Sequence, residues 1–123
     1  MDLLSNLLTS LRNAEMAGLS QLTVPTTKMN LAVLSVLKTA HIITATAPAN
    51  EERKTLVTLL SPVQRHHYKR ISKPSRRVYV SALQIPKVRQ GRGLVILSTS
   101  GGVLIGHEAR AQRLGGELLC EVY

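Results

Sequence analysis

Five consecutive residues, Ser98-Thr99-Ser100-Gly101-Gly102, bring together the groups in this chain best suited to contact a ligand. Each hydroxyl can donate and accept a hydrogen bond. The two glycines let backbone N–H groups approach a partner closely. Against RNA, such groups can reach 2′-hydroxyls, phosphates and minor-groove edges without stacking on a base. The same composition also describes an ordinary Ser/Gly hairpin turn, and composition alone favours the turn.

Catalytic groupings are poorer. Ser98, His107 and Glu108 have the side chains of a hydrolytic trio. No Gly-x-Ser-x-Gly elbow surrounds the serine, whose hydroxyl is inert without a positioned base. Gly91-Arg92-Gly93 runs into Leu94-Val95-Ile96 and so opens a strand, not the helix of a dinucleotide fingerprint. His66 and His67 are adjacent and point to opposite faces of a strand, with no Cys-x-x-Cys or His-x-x-x-His to join them. His41, His107 and Cys120 lie far apart in sequence. These patterns lead to an expectation of no enzyme, no metal, no cofactor and no small-molecule substrate.

Charge supplies the second signal. Of the 16 Lys and Arg, eleven fall between Glu52 and Glu108, a tract without a single acid: Arg53, Lys54, Arg65, Lys69, Arg70, Lys73, Arg76, Arg77, Lys87, Arg89 and Arg92. The net charge of +9 therefore belongs to one part of the chain. A field that concentrated fits a polyanion, and nucleic acid is the commonest. Phe and Trp are absent, and only Tyr68, Tyr79 and Tyr123 are aromatic. Modules that grip single-stranded RNA stack its bases on aromatic side chains, so this chain is expected to read backbone, shape and groove edges instead.

The elements that must position these groups can be read from periodicity. Leu3, Leu4, Leu7, Leu8 and Leu11 form one helical stripe, with Gly18 as its stop. Leu22 to Val24 reads as a short strand ended by Pro25. Thr26 or Thr27 can cap a second helix whose apolar face is Met29, Ala32, Val33, Val36, Leu37 and Ala40. Ile42 to Thr46 and Thr55 to Leu60 are strands joined by a loop through Pro48. After Pro62 the character changes. Strands are expected at Gln64 to Ser72, Arg77 to Ala82, Leu94 to Leu97, Val103 to Ile105 and Glu117 to Tyr123. Lys73-Pro74-Ser75 and Ser98 to Gly102 read as turns, and Glu108 to Leu114 as a short helix broken by Gly115-Gly116.

The expected class is α+β, in two small modules: residues 1–63 as an α-β-α-β-β unit, and 64–123 as a mainly β unit with a short helix. Modules of about 60 residues bury only about 60% of their unfolded surface, so each would need the other or a partner. A lone cysteine excludes an intramolecular disulfide and fits a reducing compartment. No apolar run approaches the roughly 20 residues that span a bilayer, and no secretory leader is visible. No membrane partner is expected.

Four landmarks in order resemble the small-subunit ribosomal protein eight family of bacteria and organelles. They are Leu11-Arg12-Asn13 at the end of the first helix, Ile71-Ser72-Lys73-Pro74 with Arg77-Val78-Tyr79, Leu83 to Lys87 with Gly91 and Gly93, and the Ser-Thr-Ser loop followed by Gly115-Gly116-Glu117-Leu-Leu-Cys120. The last is the specific one. The resemblance implies two packed α/β modules, the second binding a helical region in the central domain of small-subunit rRNA, with a role in subunit assembly and translation. It implies rRNA and neighbouring small-subunit proteins as partners. By position, the implied RNA-binding residues are Ser98, Thr99, Ser100, Gly102 and Glu117, then Lys73, Pro74 and Tyr79, with Arg12 and Asn13 from the first helix; Arg76 and Arg77 join them as phosphate-neutralising cations. Gly101 stands where that family usually has Lys, Ser75 where it usually has Gly, and the chain is shorter around 60–66. With the lack of Phe, these departures lean toward a mitochondrial or other organellar ribosome over a bacterial one. A translational regulator acting on a similar RNA outside the ribosome is the alternative.

Overall fold

Leucines at 4, 7, 8 and 11 follow the helical repeat, and helix α1, Leu3–Met16, buries all four along one face. Each fully buried leucine contributes about 2 kcal/mol by the area removed from water. In the computed structural model, which describes residues 3–49, 53–59, 66–87 and 93–123, this helix belongs to the first of two compact units, Met1–His66 and His67–Tyr123. Pro62, where the change of character suggested a boundary, lies outside the described residues. The helix closes at Gly18, whose φ of 72° lets Leu19 N–H reach back to the Ala14 carbonyl at 3.0 Å.

Strand β1, Gln21–Pro25, leads to helix α2, Lys28–Thr39. Thr27 is the cap, its hydroxyl accepting from Asn30 N–H at 3.0 Å. The buried face of α2 is Asn30, Val33, Leu34 and Leu37, whereas Met29 stays 37% exposed. The buried face is therefore rotated slightly from the expected stripe: Asn30 enters the interior with its Nδ2 donating to the Pro25 carbonyl at 3.1 Å, while its Oδ1 is buried without a partner. Strands β2, Ile43–Pro48, and β3, Lys54–Leu59, complete an antiparallel sheet in the order β1-β3-β2. β3 alternates as a half-buried strand must, burying Thr55, Val57 and Leu59. The buried carboxylate of Glu15 accepts from His66 N–H at 2.6 Å and lies 3.1 Å from the His66 ring Nδ1, tying the end of this unit to α1.

The second unit is a five-stranded antiparallel sheet. Its strands are β4 (Tyr68–Arg70), β5 (Tyr79–Val80), β6 (Leu94–Thr99), β7 (Gly102–Ile105) and β8 (Gly116–Val122). The order is β4-β8-β6-β7, with β5 also on β8. Ile85, Val95, Leu97, Ala109 and Leu118 make the core, closed by helix α3, Gly106–Ala111. Register slips between Ile96 and Leu97, leaving Leu119 of β8 as an extra residue, a bulge that twists the sheet locally. Cys120 is fully buried; desolvation pushes its thiol up to about 12, with Arg70 opposing the rise and Glu121 adding to it.

Three expectations for this unit are corrected. The strand expected from Arg77 to Ala82 is only Tyr79–Val80, because the chain turns at Ser81 into a short 3-10 helix, Ala82–Gln84, closed by Gln84 N–H donating to the Ser81 carbonyl at 3.0 Å. Of the strand expected from Gln64 to Ser72, Tyr68–Arg70 is regular strand among the described residues, while His67, Ile71 and Ser72 extend it with backbone hydrogen bonds to Tyr123, Leu119 and Leu118. The helix expected to reach Leu114 stops at Ala111, since Arg113 takes φ 58° and turns the chain before any glycine.

Candidate nucleic-acid interface

The hydroxyl segment is tighter than a five-residue loop. Ser98 and Thr99 complete β6, Gly102 opens β7, and Thr99 pairs with Gly102, so Ser100 and Gly101 alone form the turn. Gly102 takes a φ of 105°, which only glycine adopts freely. The three hydroxyls then do different work. Thr99 Oγ1 donates to the Gly102 carbonyl at 2.7 Å and accepts from Gly101 N–H at 3.1 Å, so it braces the turn. Ser100 is exposed at the tip, and Ser98 is half-buried on the sheet.

Register places further candidates beside Ser98. Tyr79 of β5 lies opposite Glu117 of β8, which lies opposite Ser98 of β6. Directly opposite residues share a face, so the three form one row across the sheet. Tyr79 is 69% exposed. Arg77 reaches into the same row, its Nη1 donating to Glu117 Oε2 at 3.0 Å. The carboxylate is largely covered, at 15% exposure, and the guanidinium half open, at 48%.

Gly115 and Gly116 make this convergence possible. A Cβ on Gly116 would sit 2.1 Å from the Ser98 carbonyl oxygen, and one on Gly115 would sit 2.5 Å from that of Val80. Both obstacles are backbone, so the pair is there for close approach of three chain segments and not to end a helix. At Gly101, a Cβ would crowd the Leu114 side chain, at 2.9 Å, and touch Gln112 and Thr99 at an ordinary 3.7 Å. Any side chain there, including the lysine of the resembled family, requires Leu114 to move.

The Lys-Pro turn springs from the other edge of β8. Ser72, fully buried, accepts from Val78 N–H at 2.8 Å through its hydroxyl, while its own N–H donates to the Leu118 carbonyl at 3.1 Å. Lys73 and Arg76 exchange two backbone hydrogen bonds of 2.9 Å. This clamp holds Lys73, Pro74, Ser75 and Arg76 out in solvent. Ser72 was missed by reasoning on charge, and its place immediately before Lys73-Pro74 was the available signal. Not every cation is equally available. Arg70 Nη1 donates to the Leu119 carbonyl at 2.6 Å, and Lys69 lies 3.9 Å from Glu121. Arg65, Arg89 and Arg92 lie outside the described residues. Arg12 and Asn13 are exposed on α1 of the first unit. Among the described residues no cluster of three or more His, Cys, Asp or Glu could hold a metal, and no helix is long and apolar enough to cross a membrane.

The model of the family described as ribosomal protein S8 matches residues 2–123. The chain belongs to the ribosomal protein S8 family. Its relatives include proteins named small ribosomal subunit protein uS8 from three bacteria. The one from Nitratidesulfovibrio vulgaris is 42% identical, over 99% of this chain and 98% of its own length. Those from Hyphomonas neptunium and Chlamydia trachomatis are each 43% identical, covering 99% of this chain and 97% and 96% of their own. S8 proteins are structural constituents of the ribosome and not enzymes. With bacterial relatives this similar along the whole chain, the leaning toward an organellar S8 protein finds no support.

Proposed function

We propose that this chain is a structural component of the small ribosomal subunit that binds a helical region in the central domain of the small-subunit rRNA and supports assembly of the subunit. The observation that carries the RNA contact is the row of Tyr79, Glu117 and Ser98 beside the exposed Ser100 tip, a polar and largely preformed surface on a rigid sheet. Lys73, Pro74 and Arg76, held out by the Ser72 clamp, flank it from the second edge of β8. Cations set attraction and orientation, which any RNA would feel. The uncharged hydroxyls and backbone N–H groups fit groove edges and 2′-hydroxyls, which differ between RNAs. Arg12 and Asn13 add contacts from the first unit, and neighbouring small-subunit proteins cover other surfaces. No observation favours a regulatory role outside the ribosome.

Binding measured across a salt series tests this reading. Lys69, Lys73, Arg76 and Lys87 are exposed, and Arg89 and Arg92 add two more cations in sequence. If these neutralise about six phosphates, log affinity falls with log salt at a slope of about −4 to −5, from roughly 0.7–0.9 per phosphate. A flat dependence would refute the electrostatic part of the account.

A further inference from the structure

We propose that Arg77 serves RNA binding through Glu117 and not through a phosphate: its guanidinium neutralises and orients the carboxylate that lies in the binding row. This rests on the RNA-binding reading above and changes the part assigned to Arg77 within it.

A carboxylate in the middle of a surface that meets phosphates is repelled by them, and little water remains around a group 15% exposed to screen it. The structure closes that difficulty before RNA arrives, with Arg77 Nη1 donating to Glu117 Oε2 at 3.0 Å. The pairing is built in by the backbone on both sides. Val78, next to Arg77, is pinned twice: its N–H donates to the Ser72 hydroxyl at 2.8 Å, and its carbonyl accepts from Leu118 N–H at 2.9 Å. Glu117 is fixed by β-pairing to Ser98 on one side and Tyr79 on the other. Two residues forty positions apart are thus brought together by elements that cannot slide. Arg76, one residue earlier, is exposed on the turn and remains the cation offered to a phosphate. With Oε2 held by Arg77, Oε1 is the acceptor offered to an RNA amino or hydroxyl group. Arg77 is a positioning residue.

The test titrates the full chain with a transcript of the rRNA central domain and with an unrelated RNA duplex, each across a salt series. Wild type is compared with Arg77→Gln, Glu117→Gln and the double variant. Arg77→Gln is expected to weaken cognate binding about tenfold, to weaken the unrelated duplex several-fold less and to keep the salt slope of wild type. In the Glu117→Gln background the same substitution should change cognate affinity less than about threefold, because its object is gone. Arg77 is half open and Glu117 largely covered, so unchanged melting midpoints would separate these effects from a loss of folding. A slope shallower by about one, with equal weakening of both RNAs and the same penalty in both backgrounds, would make Arg77 a phosphate contact and overturn the proposal. Wild-type binding no tighter to the cognate transcript than to the unrelated duplex would overturn the selective RNA reading itself, and with it this proposal.

Discussion

Gly116→Ala is expected to destabilise the second unit by about 3 kcal/mol, the upper end for forcing extra volume into a packed site. The added methyl would sit 2.1 Å from the Ser98 carbonyl oxygen and 3.2 Å from Thr99 Cα, so no side-chain rotation relieves it. β6 and β8 would have to part where Thr99 pairs with Gly116, next to the Ser98–Glu117 pair. For a unit of this size each kcal/mol moves the melting midpoint by roughly 4–8 °C, so a fall of more than about 10 °C is expected in a thermal melt followed by circular dichroism. Gly101→Ala is the contrasting substitution. It crowds only the end of Leu114, a flexible side chain, and its effect should be small. Equal melting midpoints for Gly116→Ala and wild type would mean that the strand pairing around the site is looser than described.

Ser100→Glu is expected to act on binding and not on folding. Ser100 is exposed at the tip, and the bonds that brace the turn come from Thr99, so the hairpin survives the change. If the hydroxyl meets RNA as proposed, a carboxylate in its place removes a hydrogen-bond donor and adds repulsion. The expected loss is about 1–3 kcal/mol or more, the scale of a lost hydrogen bond to a charged or buried group. That is roughly 5- to 150-fold in Kd, read from a titration with the central-domain transcript. Unchanged affinity with an unchanged melting midpoint would move the binding surface away from the hairpin tip.

The contrast between these two positions shows what could be read in advance. Element order was legible because apolar spacing is a local signal: the leucines of α1 and the β-branched runs of β2, β3 and β6 state their periods within a few residues. A glycine in the left-handed conformation marked only the end of α1. Gly18 did so, whereas His41 and Arg113 take the same left-handed conformation, at φ 63° and 58°, with no glycine to announce it. Each is followed by a residue whose N–H reaches back to the helix, Ile42 to Leu37 and Leu114 to Ala109, at 2.9 Å. Tertiary closure holds these ends, and single-residue preference does not reveal it.

The site was legible in composition and not in geometry. Ser98-Thr99-Ser100-Gly101-Gly102 stood out as chemistry, but the division of labour among its hydroxyls depends on β-pairing with residues far along the chain. Arg77 reads as one more phosphate cation when charge alone is counted. Its contact with Glu117 appears only once β5 and β6 are laid on either side of β8. The Ser72 hydroxyl clamp on Val78 is likewise invisible to charge, since a serine ahead of Lys73-Pro74 has no periodic or electrostatic mark. On the proposed function the acid-free tract supplies attraction to RNA, while the row around Glu117 supplies a surface of defined shape.

Co-sedimentation is the most direct measurement of the central claim. A lysate containing the native chain is spun through a sucrose gradient at moderate salt, and the fractions are probed for the chain and for small-subunit rRNA. The chain is expected to peak with small ribosomal subunits. A free pool at the top of the gradient, with no peak at the small subunit, would contradict it.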